Sequence, residues 1–333
     1  MIRTIIVDDS PLVRDIIRDF LQSEGSFEII AEAENGQESI TKAKDLNPDL
    51  ITMDFNMPVM DGLQAIEEIR KFSSCGIVMI STHDTAKMAY DATVKGAHDF
   101  FAKDIFTSNM TDRQRSDIIN TLKQITNIKK KAPLLEDNIK DIKESKQNIN
   151  CIVIAASTGG PMALCQLCSG LPENFSVPIL IVQHNTSGFD KGFVQWLDGY
   201  TQLTVHLAEK DIIPSKGHVY VAPTDKHLIL GAKGIDFDDS DPINNQKPAA
   251  DFLFKSAAEK YGKAVVGIVL TGMGNDGEEG IRYVKKAGGI TIAQDEASSM
   301  IYGMPEAAAR TGCVDYIIPL NEISNILVSL TQG

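Results

Sequence analysis

The sequence predicts an α/β protein built from two doubly wound parallel-sheet domains. Short aliphatic, β-branched runs alternate with amphipathic stretches along most of the chain, and one lysine-rich stretch interrupts the alternation. The chain has 333 residues, enough for two domains at roughly 150 residues each. Runs that are apolar on both faces are what a parallel sheet needs when helices cover it on both sides.

In the first part of the chain, residues 1–125, the expected strands are Thr4–Val7, Glu28–Ala33, Leu50–Met53, Ile77–Ser81 and Asp99–Ala102. Helical patterns fall between them at Leu12–Glu24, Gly36–Asp45, Gly62–Phe72 and Lys87–Lys95, with a last helix near Asp112–Ile125. Residues 126–149 contain a lysine run, one proline and no strong apolar block, which reads as a linker. Residues 150–333 resume the alternation. Cys151–Ala156, Pro178–Gln183, Val265–Leu270 and Ile290–Ala293 read as strands. Pro161 opens a helix at its first position. Phe189–Leu197, Asp251–Tyr261 and Glu278–Ala287 read as further helices. Thr204–Leu207, His218–Ala222 and His227–Leu230 read as short strands of an antiparallel edge.

Net charge is −13, divided as −8 over residues 1–125, +2 over 126–149 and −7 over 150–333. This balance disfavours nucleic acid and anionic membrane surfaces as partners, because both are polyanions. No apolar run reaches the roughly 18–20 residues of a membrane helix, and Asp8 and Asp9 arrive too early for a secretory signal. A cytoplasmic protein is expected. The five cysteines are an odd number in a large chain, which argues against a disulfide framework; the Cys165-x-x-Cys168 pair reads as buried thiols on a helix.

In a parallel sheet the C-terminal strand ends share one edge, where ligands bind. On the first sheet that edge receives Asp8 and Asp9 from the first strand, Asp54 from the third, Ser81 from the fourth and Lys103 from the fifth. Clustered carboxylates repel unless neutralised, and a hard divalent cation such as Mg2+ does this with oxygen ligands. Asp54 then serves as nucleophile toward a phosphoryl group, Lys103 pairs with the new charge and Ser81 donates to a phosphate oxygen.

Asp8-Asp9, Met53–Pro58, Met60-Asp61-Gly62, Ser81-Thr82 and Lys103 together resemble the signature of response-regulator receiver domains. The resemblance implies a flavodoxin-like fold and phosphorylation of Asp54 by a histidine kinase. It also implies Mg2+ held by Asp9, Asp54 and the Asn56 carbonyl, with Asp8 in support. Phe100 falls at the family's aromatic switch position. Asp104 departs from the family, which usually has proline after the lysine.

The second sheet delivers three chemically suggestive residues to one edge. Ser157 lies at a strand-to-helix turn in Ala155–Pro161, where free amides of a helix N-terminus can stabilise an oxyanion. Pro178–Gln183 delivers His184, and Val265–Leu270 leads into the loop that carries Asp276. By role, Ser157 attacks an acyl carbon, His184 takes and returns the proton, and Asp276 fixes the imidazole tautomer. A competing match is Gly272-x-Gly274-x-x-Gly277, a dinucleotide fingerprint with Asp295 about 20 residues on. Asp276 inside that loop opposes it, because its charge would face a pyrophosphate.

The blocks Ser157–Gly160, Gln183-His184, Ala222-Pro223, Leu270–Gly277 and Tyr302–Pro305 jointly resemble the CheB family of chemotaxis protein-glutamate methylesterases. Receiver followed by esterase is also that family's domain order. The resemblance implies a Rossmann-like methylesterase domain over residues 150–333 and hydrolysis of glutamate γ-methyl esters on methyl-accepting chemotaxis receptors. It also implies regulation through phosphorylation by a CheA-type kinase, and in many members glutamine deamidation. It maps the triad onto Ser157, His184 and Asp276, and the oxyanion donors onto the Met273 amide and Thr158. No metal or cofactor is implied for the esterase step. Ala155, Asn185-Thr186 and Ala250 depart from the family's usual residues, but none removes a catalytic group. A non-catalytic adaptor is the rival from another class. A DNA-binding regulator is poorer still, given the negative charge and the lack of a helix-turn-helix pattern.

Overall fold

The computed structural model describes residues 1–82, 86–106, 110–126, 148–186, 188–244 and 246–331. The chain forms two compact units, residues 1–129 and 130–333. Almost all of the expected linker 126–149 lies outside the described residues.

In the first unit, strands β1 (Ile2–Val7), β2 (Phe27–Ala33), β3 (Leu50–Asp54), β4 (Gly76–Ser81) and β5 (Asp99–Ala102) form one parallel sheet in the order β2-β1-β3-β4-β5. Helices α1 (Pro11–Gln22), α2 (Gly36–Leu46), α3 (Gly62–Arg70), α4 (Ala86–Lys95) and α5 (Asp112–Thr126) alternate with them. Local chemistry sets the helix starts. Pro11 occupies the first turn of α1, where its missing N–H costs nothing. Asn35 accepts the Glu38 N–H at 2.9 Å and donates back to the Glu38 carboxylate at 3.1 Å, a reciprocal cap on α2. Asp61 accepts the Gln64 N–H at 2.8 Å and starts α3.

His98, just ahead of β5, is folded into the base of this unit. Its Nδ1 accepts the Ile77 N–H at 3.0 Å and lies 3.2 Å from Arg70 Nη2. Burial, then the Arg70 charge, lowers its pKa to about 4. The folded value lies below the unfolded one, so His98 contributes stability above pH 6.5 that is lost as pH falls toward 4. An NMR titration of the His98 ring should have its midpoint near 4; a midpoint near the ordinary 6.5 would contradict this account.

The second unit holds a seven-stranded, all-parallel sheet. Its strands are β6 (Cys151–Ala156), β7 (Ile179–Gln183), β8 (Thr204–Leu207), β9 (His218–Val221), β12 (Val265–Val269), β13 (Ile290–Gln294) and β14 (Tyr316–Ile318), in the order β14-β13-β12-β6-β7-β9-β8. Strands β6, β7 and β12 are buried throughout. Helices α6 (Gly160–Ser169), α7 (Asp190–Asp198), α8 (Ala250–Tyr261), α9 (Glu278–Lys286), α10 (Met304–Arg310) and α11 (Leu320–Thr331) connect and cover it. Strands β10 (His227–Gly231) and β11 (Gly234–Asp238) form a separate antiparallel hairpin.

The fold is thus the expected pair of parallel α/β sheets, with one correction. The edge is not antiparallel, because β8 and β9 pair in parallel as part of the main sheet. The ten-residue connection 208–217 carries the chain back along the sheet. It is pinned on the way by Asp211 N–H to Ile235 O at 2.8 Å and Ile235 N–H to Ile212 O at 2.7 Å. Of the three strands expected at that edge, only β10 pairs antiparallel, and its partner is β11.

All five cysteines are free thiols, and Cys165 and Cys168 are buried on α6. Burial raises both thiol pKa values, that of Cys168 to about 12, so neither is poised as a thiolate. Among the described residues no helix is long and apolar enough to cross a membrane.

Candidate functional site

On the first sheet, the expected acidic pocket assembles. Carboxylate oxygens of Asp8, Asp9 and Asp54 lie within 4.8 Å of one another. The Lys103 ammonium reaches Asp8 at 2.8 Å and Asp54 at 2.9 Å. Asp8 and Asp54 are buried and Asp9 is exposed, so the pocket opens on the Asp9 side. Burial raises the Asp54 pKa to about 6; Lys103 opposes the rise and the Asp8 charge adds to it. Three clustered oxygen donors fit a hard divalent cation such as Mg2+. Gly62 packs so tightly on the Asp54 carbonyl that a side chain there would collide with it. The Asn56 side chain is exposed, and Phe100 is buried edge-to-face against Tyr90, with ring centroids 4.7 Å apart. Ser81 ends β4, and its side chain lies outside the described residues. After Lys103 the chain makes a 3-10 turn, Lys103–Phe106, and the only cis peptide among the described residues is Lys247–Pro248.

On the second sheet, Ser157, His184 and Asp276 follow three neighbouring strands, β6, β7 and β12. Ala156 and Gln183 are register partners, so Ser157 and His184 leave adjacent strands side by side. The His184 N–H donates to the Ala156 carbonyl at 3.0 Å. Gln183 Nε2 donates to both the Ser157 and His184 carbonyls, at 3.1 and 3.0 Å, and ties the two strand ends together. His184 Nε2 lies 2.7 Å from Asp276 Oδ2, in a pair whose side chains are 7% and 1% exposed. His184 Nδ1 is buried with no hydrogen-bond partner among the described residues. The Ser157 hydroxyl makes no hydrogen bond to the ring; such bonds often form only when substrate closes the site.

The backbone of Ser157 is held firmly. Its N–H donates to Thr271 O at 3.0 Å, and its carbonyl accepts the Gly160 N–H at 2.7 Å. Gly159 turns the chain at φ 74°, a conformation that favours glycine. The loop 271–274 is clamped from its far side by the Tyr302–Pro305 block. Gly272 N–H donates to Ile301 O, and Gly303 N–H and Met304 N–H both donate to Gly272 O. Thr271 Oγ1 lies 3.0 Å from the Thr158 carbonyl and accepts the Ile301 N–H at 2.9 Å. These bonds bring Thr158, which is buried, and Met273 to the same corner as Ser157.

Gly272 itself touches the serine. A Cβ there would lie 2.7 Å from the Ser157 Cβ and press on the Met304 sulfur. Gly272→Ala should therefore lower stability by about 1–3 kcal/mol through overpacking and lower hydrolytic activity as well. Calorimetry beside an activity assay checks both, and an unchanged melting temperature would contradict the packing argument.

The dinucleotide reading fails here on geometry. The amides at the start of α9, where a pyrophosphate would bind, are already occupied: Gly277 and Gly280 donate to the Asp251 carboxylate at 3.0 and 2.7 Å. Asp295 Oδ1 accepts the Ser298 N–H at 3.0 Å rather than projecting toward a ribose. Asp251 is the residue that motif reading overlooks. Its signal is an acid in the first turn of a helix, a position usually explained by the helix dipole alone.

The chain is similar to known proteins over nearly its whole length. The family model described as CheB methylesterase matches residues 152–327, and that of the response regulator receiver domain matches residues 4–115. A Pyrococcus abyssi protein named protein-glutamate methylesterase/protein-glutamine glutaminase is 37% identical, over 99% of this chain and 94% of its own. A Thermotoga maritima protein of the same name is 35% identical, over 99% of this chain and 98% of its own. The crystal structure of the Thermotoga maritima CheB methylesterase catalytic domain superposes with a TM-score of 0.54 at 40% identity, covering 55% of this chain and all of that one. The chain belongs to the CheB methylesterase family, with a response regulator receiver domain preceding the esterase domain.

Proposed function

We propose that this chain hydrolyses γ-methyl esters of glutamate side chains on chemotaxis receptors, with Ser157, His184 and Asp276 as its catalytic residues, and that phosphorylation of Asp54 raises the activity. The observation that carries the reading is the buried 2.7 Å His184–Asp276 pair, set on the strand end next to Ser157 with the other imidazole nitrogen unpartnered. An ionised carboxylate only accepts hydrogen bonds, so Asp276 draws the imidazole proton to Nε2 and leaves the lone pair on Nδ1.

In this mechanism the Ser157 hydroxyl proton passes to His184 Nδ1 as Oγ bonds to the ester carbonyl carbon. The Met273 N–H and Thr158 stabilise the resulting oxyanion. Collapse breaks the bond to methoxide, which takes the proton from the imidazolium and leaves as methanol. Water attacks the glutamyl-Ser157 ester, His184 again accepts and returns a proton, and a receptor carboxylate is released. The same chemistry on a glutamine side chain releases ammonia, and the relatives' names include both activities.

In the receiver, Asp9, Asp54 and the Asn56 carbonyl would hold Mg2+, with Asp8 in support. A bound Mg2+ supplies charge neutralisation for the carboxylates and for the phosphoryl group. Asp54 accepts the phosphoryl group from a CheA-type histidine kinase, Lys103 pairs with the new charge and Ser81 donates to a phosphate oxygen. The protein works in the cytoplasm, where both receptor helices and kinase are found. Methanol release from membranes bearing methylated receptors tests the reading: the protein should release methanol, and none released by folded, phosphorylated protein would refute it.

A further inference from the structure

Helices α8 and α9 both begin without a capping side chain of their own, because Ala249 precedes one and Gly277 the other. Each is capped instead by a carboxylate from the start of the other. Asp276 accepts the Ala250 N–H at 2.6 Å and the Asp251 N–H at 3.2 Å, at the head of α8. Asp251 Oδ1 accepts the Gly277 N–H at 3.0 Å and the Gly280 N–H at 2.7 Å, at the head of α9. His227 Nδ1 accepts the Ala249 N–H at 3.0 Å and completes the α8 cap.

This exchange bears directly on the pair described above. One of the two N–H groups that Asp251 accepts is that of Gly277, the residue immediately after Asp276, and Asp276 Oδ1 shares it at 3.0 Å. The oxygen that Asp276 presents to His184, Oδ2, belongs to the same carboxylate whose Oδ1 rests on the Asp251 amide. Two buried carboxylates tolerate each other here because each sits at the positive end of a helix. Burial, then the Asp276 charge, nonetheless raises the Asp251 pKa to about 6.

We propose that Asp251 is a positioning residue: by holding the peptide after Asp276 it fixes the direction in which Asp276 presents Oδ2 to His184. The proposal rests on the assignment of Ser157, His184 and Asp276 made above. Among the described residues Asp251 makes no hydrogen bond to His184 or Ser157, and it acts on them through Asp276, so its effect is on the chemical step rather than on substrate binding.

The test is steady-state methanol release by full-length Asp251→Ala, Asp251→Asn and Asp276→Ala variants, each normalised to folded protein. Asp251→Ala should lower kcat by about ten- to a hundredfold, the range of a small misplacement, with KM within about twofold. Asp251→Asn keeps an amide oxygen where Oδ1 accepts, and should recover most of kcat. If Asp251→Ala does not fold, Asp251→Ser, whose shorter side chain reaches these amides poorly, should show the same fall in kcat at unchanged KM. A wild-type kcat in folded Asp251→Ala or Asp251→Ser overturns the proposal. So does a change confined to KM, or an asparagine variant as impaired as alanine. If Asp276→Ala also keeps the wild-type rate, the underlying assignment falls and the proposal with it. If Asp276→Ala is crippled while the Asp251 variants are not, the proposal alone falls.

Discussion

Ser157→Ala should lower kcat for methyl-ester hydrolysis by at least about three orders of magnitude while leaving the melting temperature nearly unchanged. The loss is large because the covalent route disappears, leaving only oxyanion stabilisation and substrate orientation. Stability should survive because every bond that holds this residue uses its backbone: N–H to Thr271 O, and O to the Gly160 and Gln183 donors. The Cβ that packs on Gly272 is also present in alanine. Residues that act as a unit do not contribute additively, so adding His184→Ala to Ser157→Ala should cost little more. A folded Ser157→Ala protein with more than about a tenth of the wild-type rate would exclude the serine as nucleophile.

Asp54→Asn should abolish phosphorylation by acetyl phosphate and Mg2+, and with it any stimulation of the esterase. Asparagine nearly matches the buried side chain in size and can still accept from Lys103, so the first unit should remain folded. It lacks the carboxylate nucleophile, however, and its amide offers a poorer ligand to a hard cation. Labelled phosphate incorporation and methanol release, with and without the phosphodonor, measure both halves. Stimulation that persists in Asp54→Asn would place control elsewhere, and an esterase indifferent to the phosphodonor in the wild type would remove the regulatory claim.

The sheets were legible from their central strands, which are buried on both faces and read as largely apolar runs, as in Leu50–Asp54 and Val265–Val269. Elements that lie at an edge or outside the sheet were harder to read. Strand β11, Gly234–Asp238, alternates with aspartates and is recognisable only once β10 lies beside it. The parallel course of β8 and β9 depends on the connection between them, whose anchor, Ile235 of β11, lies well beyond it in sequence. Helix α11 carried a signal in the helical spacing of Leu320, Ile323, Leu327 and Leu330, but it follows a strand of only three residues.

The site divides in the same way. Ser157, His184 and Asp276 could be read because each stands just beyond an apolar run, and topology brings those strand ends together. Gln183, which ties two of those ends by its side chain, and Asp251, which holds the loop of the third, could not be read as such. Their partners are backbone amides and carbonyls, and any residue supplies those, so no side-chain pattern announces them.

Covalent trapping tests the central claim most directly. The full-length protein is treated with a fluorophosphonate, digested, and the modified residue located by mass spectrometry, with methanol release followed in parallel. This account predicts a single adduct on Ser157, activity lost in proportion to labelling, and much slower labelling in the His184→Ala protein. An adduct on another residue, or full esterase activity with Ser157 blocked, would contradict it.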